Sequence, residues 1–192
     1  MNIGTLYEFA FRGQLAEEAL DRAGRSKFAH SGDSEAELAE SLSLGVLDDE
    51  LVSRARHMST VYTAVTAFEN SARTLVSSTM LEGKGENWWK DCVSAKVQKK
   101  ARDRREDDEK NRFHSQRGED PINYSDLGDL LNVIRAHPEL FEAAIPSPEW
   151  AQNIFDAVER SRNVIMHSGT LSSGDIARVG INIRDWIKQV GA

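Results

Sequence analysis

Cysteine is nearly missing from this chain of 192 residues: Cys92 stands alone, so no internal disulfide can form. The fold must rest on packing, and a reducing compartment, the cytoplasm, fits it. Cys92 has the chemistry of a nucleophile, but a half-buried thiol is the plainer expectation. Proline is scarce at four residues and glycine stands at 13, too few turn-formers for a sandwich or barrel. No apolar run approaches the ~20 residues needed to span a bilayer, so no membrane partner is expected. The first twenty residues lack the basic-then-apolar order of a signal peptide. A net positive charge is absent too. The formal charge of −7 argues against a protein that coats nucleic acid nonspecifically, although it permits a local basic site.

What is present is helical periodicity in a globular balance of 40% hydrophobic and 29% charged residues. Residues 6–23 read as a first helix, followed by a polar stretch over 25–33. Ser34 and Glu37 form a capping-box pattern opening a short helix toward Leu44, with Gly45 ending it. Asp48 caps a long helix whose apolar stripe runs Leu51, Ala55, Met58, Tyr62, Val65, Ala72, Val76 and Thr79, broken only at Glu69. Gly83 is the expected left-handed terminator of that helix. Trp88 and Trp89 open a further helix reaching about Arg112, and Pro121 lies in a polar loop. Short helices follow over 126–136, capped by Ser125, and over 138–144. Ser147-Pro148 begins a helix with an inner stripe of Trp150, Ile154, Ala157, Ser161, Val164 and Ile165, ending at Ser168-Gly169. Ser172 and Asp175 open the last one, with Ile176, Val179, Ile183, Trp186 or Ile187, and Val190 inward. The expected architecture is all-α: a helical bundle over 48–192 with a helical appendage over 1–47.

Chemistry concentrates near the end of the penultimate helix. Steps of about 100° per residue place Arg160, Asn163 and His167 on one stripe, with Arg162 one step round from Asn163. His167 falls in the last turn, where the helix dipole favours a protonated imidazole that can exchange a proton near neutral pH. A solvated polar face accounts for the same pattern, and periodicity alone leaves both readings open.

The segment Arg162-Asn163-Val164-Ile165-Met166-His167 resembles the signature of the HEPN superfamily: Arg, a polar residue, three variable residues, then His. Three further segments resemble the same families in the same order. They are residues 62–73, Gly85-Glu86-Asn87-Trp88-Trp89, and Tyr124-Ser125-Asp126-Leu127-Gly128-Asp129-Leu130. The resemblance covers roughly residues 59–190. It points to the subfamily found as a domain of nuclear RNA-surveillance endonucleases and as stand-alone bacterial proteins. It implies a bundle of four to five helices and a metal-independent ribonuclease site formed where two protomers meet. Arg162, Asn163 and His167 would be its catalytic residues, and Arg160, Glu69 and Arg73 secondary candidates. It also implies RNA as substrate, a homodimer, a toxin or defence role with an antitoxin or other partner protein, and no cofactor or metal. The alternative is a catalytically silent HEPN domain that binds RNA or protein, or a structural dimer in which Asn163 and His167 bond across the interface. Some toxin members carry a modifiable tyrosine two residues after the histidine; here that position is Gly169, so control by that modification is not expected.

Other residues carry two readings each. Glu69 and Arg73 have the spacing of a helical ion pair. Trp88 and Trp89 suit core packing or base stacking. Tyr124, Asp126 and Asp129 are expected to cap and seat their helix. Lys96, Lys99, Lys100, Arg102, Arg104 and Arg105 belong to a stretch, 90–105, with seven basic and two acidic residues; they form either an RNA-backbone surface or a solvated helix face. His30, His57, His114 and His137 show no metal-ligand spacing.

Overall fold

The computed structural model describes residues 34–111 and 113–191. The helix expected over 6–23, the stretch 25–33 and His30 lie outside them. The chain divides into two units, Met1–Val52 and Ser53–Ala192. In the first, helix α1 (Glu35–Ser41) opens with the expected capping box: Ser34 N–H donates to Glu37 Oε2 at 2.6 Å, and Glu37 N–H to Ser34 Oγ at 3.3 Å. It stops earlier than expected. Ser43 turns left-handed (φ 54°), and Gly45 falls inside a 3-10 turn, Leu44–Val46.

Helix α2 (Asp49–Lys84) spans 36 residues, about 54 Å at 1.5 Å per residue. Asp48 caps it, accepting from Glu50 N–H at 3.0 Å and Leu51 N–H at 3.1 Å. Its buried stripe is Met58, Val61, Val65, Phe68, Ala72, Val76 and Met80, with Glu69 among them. Leu51 and Tyr62, expected inside, face outward, and Val61, Phe68 and Met80 turn inward. The helix also runs through Gly83. A Cβ there would come within 2.7 Å of Leu140 Cδ2, so Gly83 is a close-approach position. Gly85, at φ +80°, is the left-handed terminator.

The expected single helix from Trp88 is two: α3 (Trp88–Cys92) and α4 (Ala95–Lys110). Val93 is extended and Ser94 restarts the helix as its N-cap, its Oγ accepting from Val97 N–H at 3.4 Å. The Gln98 amide donates to the Val93 carbonyl at 2.7 Å and the Lys90 carbonyl at 3.0 Å, covering the acceptors that the break exposes. Trp88 is buried and Trp89 half-buried edge-on to it, and Cys92 is a half-buried free thiol. A 3-10 turn, Pro121–Tyr124, packs on α4 and leads into α5 (Leu127–Ala136). Asp126, not Ser125, caps α5: Asp129 N–H donates to Asp126 Oδ1 at 2.8 Å while Asp129 Oδ2 accepts from Asp126 N–H at 3.4 Å. Then come α6 (Pro138–Phe141), α7 (Pro148–Met166) and α8 (Ser173–Val190). Ser147 and Ser172 cap the last two as expected. Among the described residues there is no strand, and no helix is long and apolar enough to cross a membrane.

The core closes where α2, α7 and α8 meet. Trp186, fully buried, stacks on Trp150 (5.7 Å, 8°) and meets Phe155 at 5.1 Å and Phe68 edge-on at 5.6 Å. Trp186 therefore takes the inward place and Ile187 stays exposed. In α7 the fully buried residues are Ala151, Ile154, Phe155 and Val158. Val164, expected inside, is exposed, because the aromatic cluster anchors the first half of α7 and leaves its C-terminal turns at the surface. Among the described residues the Trp186 indole N–H has no hydrogen-bond partner, a cost set against the large apolar area the ring buries. We expect Trp186→Ala to destabilise the protein by about 3–5 kcal/mol. Trp186→Phe should cost clearly less, since it removes the orphan donor while keeping an aromatic ring. Urea unfolding midpoints of the two variants check this ordering.

Candidate functional site

Helix α7 ends in a Schellman turn, which sets the position of His167. His167 is the C-cap and its N–H donates to the Asn163 carbonyl at 3.2 Å. Ser168 N–H donates to the Ile165 carbonyl at 2.9 Å, and Gly169 N–H reaches back to the Val164 carbonyl at 2.8 Å. Ser168, not the glycine, takes the left-handed conformation (φ 60°). Gly169 is needed for a different reason: a Cβ would stand 2.8 Å from the Val164 carbonyl oxygen and 2.7 Å from its Cγ1. A tyrosine at that position would have to break the turn that carries His167.

Arg160, Asn163 and His167 are exposed along one stripe. Arg162 is turned away from them; five residues of helix rotate it about 140° from His167. Its side chain is half-buried, and its Nε lies 3.1 Å from Glu69 Oε1. That oxygen is buried and accepts no well-directed hydrogen bond among the described residues, so the contact is Coulombic. The other oxygen, Oε2, accepts from Arg73 at 3.2 Å. Arg73 also donates to Asn70 Oδ1 at 2.9 Å and to the Ser125 carbonyl at 3.1 Å. The sequence spacing of Glu69 and Arg73 is thus a real ion pair, and it is shared with Arg162, 93 positions away (162 − 69). The break in the apolar stripe at Glu69 is the sequence signal for such a partner, but it does not say which cation supplies it. Glu159 completes the surroundings. Burial, then the charge of Asp126, push its carboxyl above the ordinary glutamate range, while Arg162 pulls the other way.

The basic residues of α4 are placed differently. Arg104 donates to Asp126 Oδ2 at 2.7 Å, Asp129 Oδ2 at 3.1 Å and the Tyr124 carbonyl at 2.6 Å. Lys100 donates to Asp129 Oδ1 at 2.9 Å. Lys99, Arg102 and Arg105 pair along the helix with Asp103 (2.7 Å), Glu106 (4.0 Å) and Glu109 (3.0 Å). Lys96 alone of the six has no carboxylate within 4.0 Å among the described residues. Arg104 and Lys100 therefore seat α4 against the cap of α5, around a fully buried Asp129. Tyr124 is buried beside them.

Residues 63–191 match the model of the Swt1-like HEPN family. The chain belongs to that family. No curated protein and no solved structure matches it. The HEPN assignment agrees with the all-α bundle, and it identifies a domain of a generally ribonuclease-related type whose members commonly meet RNA and often dimerise.

Two outcomes follow from this geometry. Gly169→Ala is expected to destabilise the HEPN domain by about 1–3 kcal/mol through the contact with a backbone oxygen that cannot move aside, read as a lowered melting temperature. The second concerns acid. Burial alone would raise the Asp126 carboxyl. The hydrogen bond from Arg104, the Asp129 backbone bond and the charges of Lys100 and Arg104 outweigh burial and hold it below the ordinary aspartate range. A depressed folded-state value means that the stabilisation is complete above the ordinary aspartate range and is lost as pH falls below it. Asp126→Asn should therefore flatten the fall in stability between about pH 4 and pH 2, measured by urea unfolding across that range.

Proposed function

We propose that this HEPN domain is a metal-independent RNA endonuclease working as a homodimer, with Arg162, Asn163 and His167 of both copies around one cleft. The observation that carries the reading is how Arg162 is held. Glu69 lies against the Nε edge of its guanidinium at 3.1 Å, and among the described residues that guanidinium donates no hydrogen bond. A guanidinium held near a buried carboxylate by charge, with its donors unspent, can turn them to a phosphate. On a different face of the same helix end Asn163 and His167 are exposed, flanked by the exposed apolar side chains of Val164 and Met166. Exposed apolar groups next to a polar site are what a second copy would cover.

RNA supplies its own nucleophile. The 2′-oxygen attacks the adjacent phosphorus, the bond to the 5′-oxygen breaks, and a 2′,3′-cyclic phosphate forms. A base must take the 2′-hydroxyl proton and an acid must give one to the departing 5′-oxygen. One chain offers one motif histidine, and a symmetric dimer offers two, with the arginines facing the charge that builds on phosphorus. Asn163 would orient the phosphate or brace the cleft. A chain of this kind suits a toxin or defence effector restrained by a partner protein, in the cytoplasm. In this reading residues 1–47 are an appendage to the HEPN-like domain over 48–192.

A second reading rests on the same ion pair. The nearness of Glu69 and Glu159 offsets much of the positive charge of Arg162, which would suit a silent domain that binds RNA or protein without cutting it. Labelled total RNA incubated with the protein in EDTA separates the two. We expect cleavage to cyclic-phosphate ends by the parent, lost by at least about a hundredfold in folded His167→Ala and Arg162→Ala variants, with a bell-shaped pH profile for the parent. Equal cleavage by all three proteins, or none by the parent, would remove the nuclease reading.

A further inference from the structure

Arg160 leads to a separate feature. It lies on α7 opposite the first turns of α8, where Ala157, Arg160, Ser161, Asp175, Arg178 and Val179 line a small surface cavity of about 170 Å³. Two arginines from two helices converge on this one space. Arg160 is exposed and has no carboxylate within 4.0 Å among the described residues. Arg178 meets Asp175 Oδ1 at 3.2 Å, but its side chain remains 78% exposed. The carboxylate beside it is already shared, since Asp175 Oδ2 accepts from the Ser172 hydroxyl at 2.6 Å and its N–H at 3.3 Å. Ser161 donates its hydroxyl to the Ala157 carbonyl at 3.2 Å, which leaves the arginines as the donors the cavity offers.

We propose that the Arg160–Arg178 cavity is a second phosphate subsite, which holds a backbone phosphate of the RNA next to the one at the cleavage site. The proposal rests on the RNA-processing reading above and deepens it. Its chemistry is that of paired guanidinium groups, whose forks match phosphate oxygens. Its placement follows from the helix. Arg160 and His167 share a stripe and stand seven residues apart, about 10 Å along the axis. A strand whose reacting phosphate lies at His167 can rest a neighbouring phosphate here. Arg162, rotated toward Glu69, cannot reach this cavity, so the two motif-region arginines serve different phosphates.

The test uses a short, fluorescein-labelled, uniformly 2′-O-methylated single-stranded RNA, which can bind but cannot be cut. Its dissociation constant is measured by anisotropy across a range of salt for the parent, Arg160→Ala, Arg178→Ala and the double variant. A lost phosphate contact lowers the slope of log affinity against log salt by about 0.7 for a single strand. We expect that drop in each single variant and no further drop in the double variant, because both arginines hold the same phosphate. Unchanged slopes with RNA still bound would overturn the subsite while leaving the nuclease reading to the cleavage assay. Additive drops in the double variant would overturn the shared cavity in favour of two independent surface charges. A parent that fails to cut RNA but shows the expected slopes would keep the subsite and refute the nuclease reading. A parent that binds no RNA would refute both.

Discussion

A carboxylate buried in the middle of an apolar helix face governs much of this molecule. Glu69 stands in the stripe that α2 turns inward, between Phe68 and Ala72. An unpaired charge at that depth would be strongly unfavourable, so the surrounding chain must bring cations to it. Arg73 comes from the next turn of the same helix and carries the link on to the Ser125 carbonyl, just ahead of the cap of α5. Arg162 comes from α7. One side chain thus keys three helices to a single arrangement. Removing either arginine would leave the charge partly uncompensated, a larger penalty than the pair's own net contribution. The position of the motif arginine is in this sense a property of the core.

The same constraint separates the polar groups of α7 into two sets. Arg162 is drawn inward toward Glu69, while Asn163 and His167 stay at the surface, His167 locked at the C-cap by the bonds of Ser168 and Gly169. Two faces of one helix then present a guanidinium and an imidazole about 140° apart. A substrate touching both from one chain has to wrap the end of the helix. A second copy of the motif across a two-fold axis removes that requirement, since a guanidinium from one chain can then stand opposite an imidazole from the other. The exposed Val164 and Met166 give such a neighbour apolar surface to cover.

Features that depend on near neighbours can be read from the sequence. Ser34, Asp48, Ser147 and Ser172 cap their helices where the sequence places them, because a cap needs only a short acceptor and a backbone N–H two or three residues on. The all-α class follows from the same periodicities. Features fixed by distant residues cannot be read so. Gly83 looks like a terminator, but it lies under Leu140, and the termination falls to Gly85. The restart at Ser94 carries no glycine or proline to announce it. The stripe of α2 is misjudged by one step at Tyr62 and Thr79, because the choice between them and Val61 or Met80 is made by what packs opposite. At the site, the grouping of Arg160, Asn163 and His167 is legible from helical steps. The pairing of Arg162 with Glu69 is not, since nothing in either segment names the other.

Charge shows why a basic run is a poor guide to where RNA would meet this chain. Residues 90–105 are the most basic stretch of an acidic protein, yet Lys99, Lys100, Arg102, Arg104 and Arg105 each face a carboxylate. The exposed pairs contribute little to stability, but in each the carboxylate offsets the positive field that its cation projects. Arg104 is committed more deeply, with two carboxylates and a carbonyl around it and Asp129 fully buried beneath. To release it for a phosphate would strand that buried charge. The arginines of the α7–α8 hairpin are arranged otherwise: Arg160 has no acidic partner among the described residues, and Arg178 keeps most of its side chain in solvent. With a net charge of −7, the rest of the surface repels a polyanion at long range. If RNA binding depends on these uncommitted arginines, it is local to the surface where α7 meets α8, on the stripe of α7 that also carries His167.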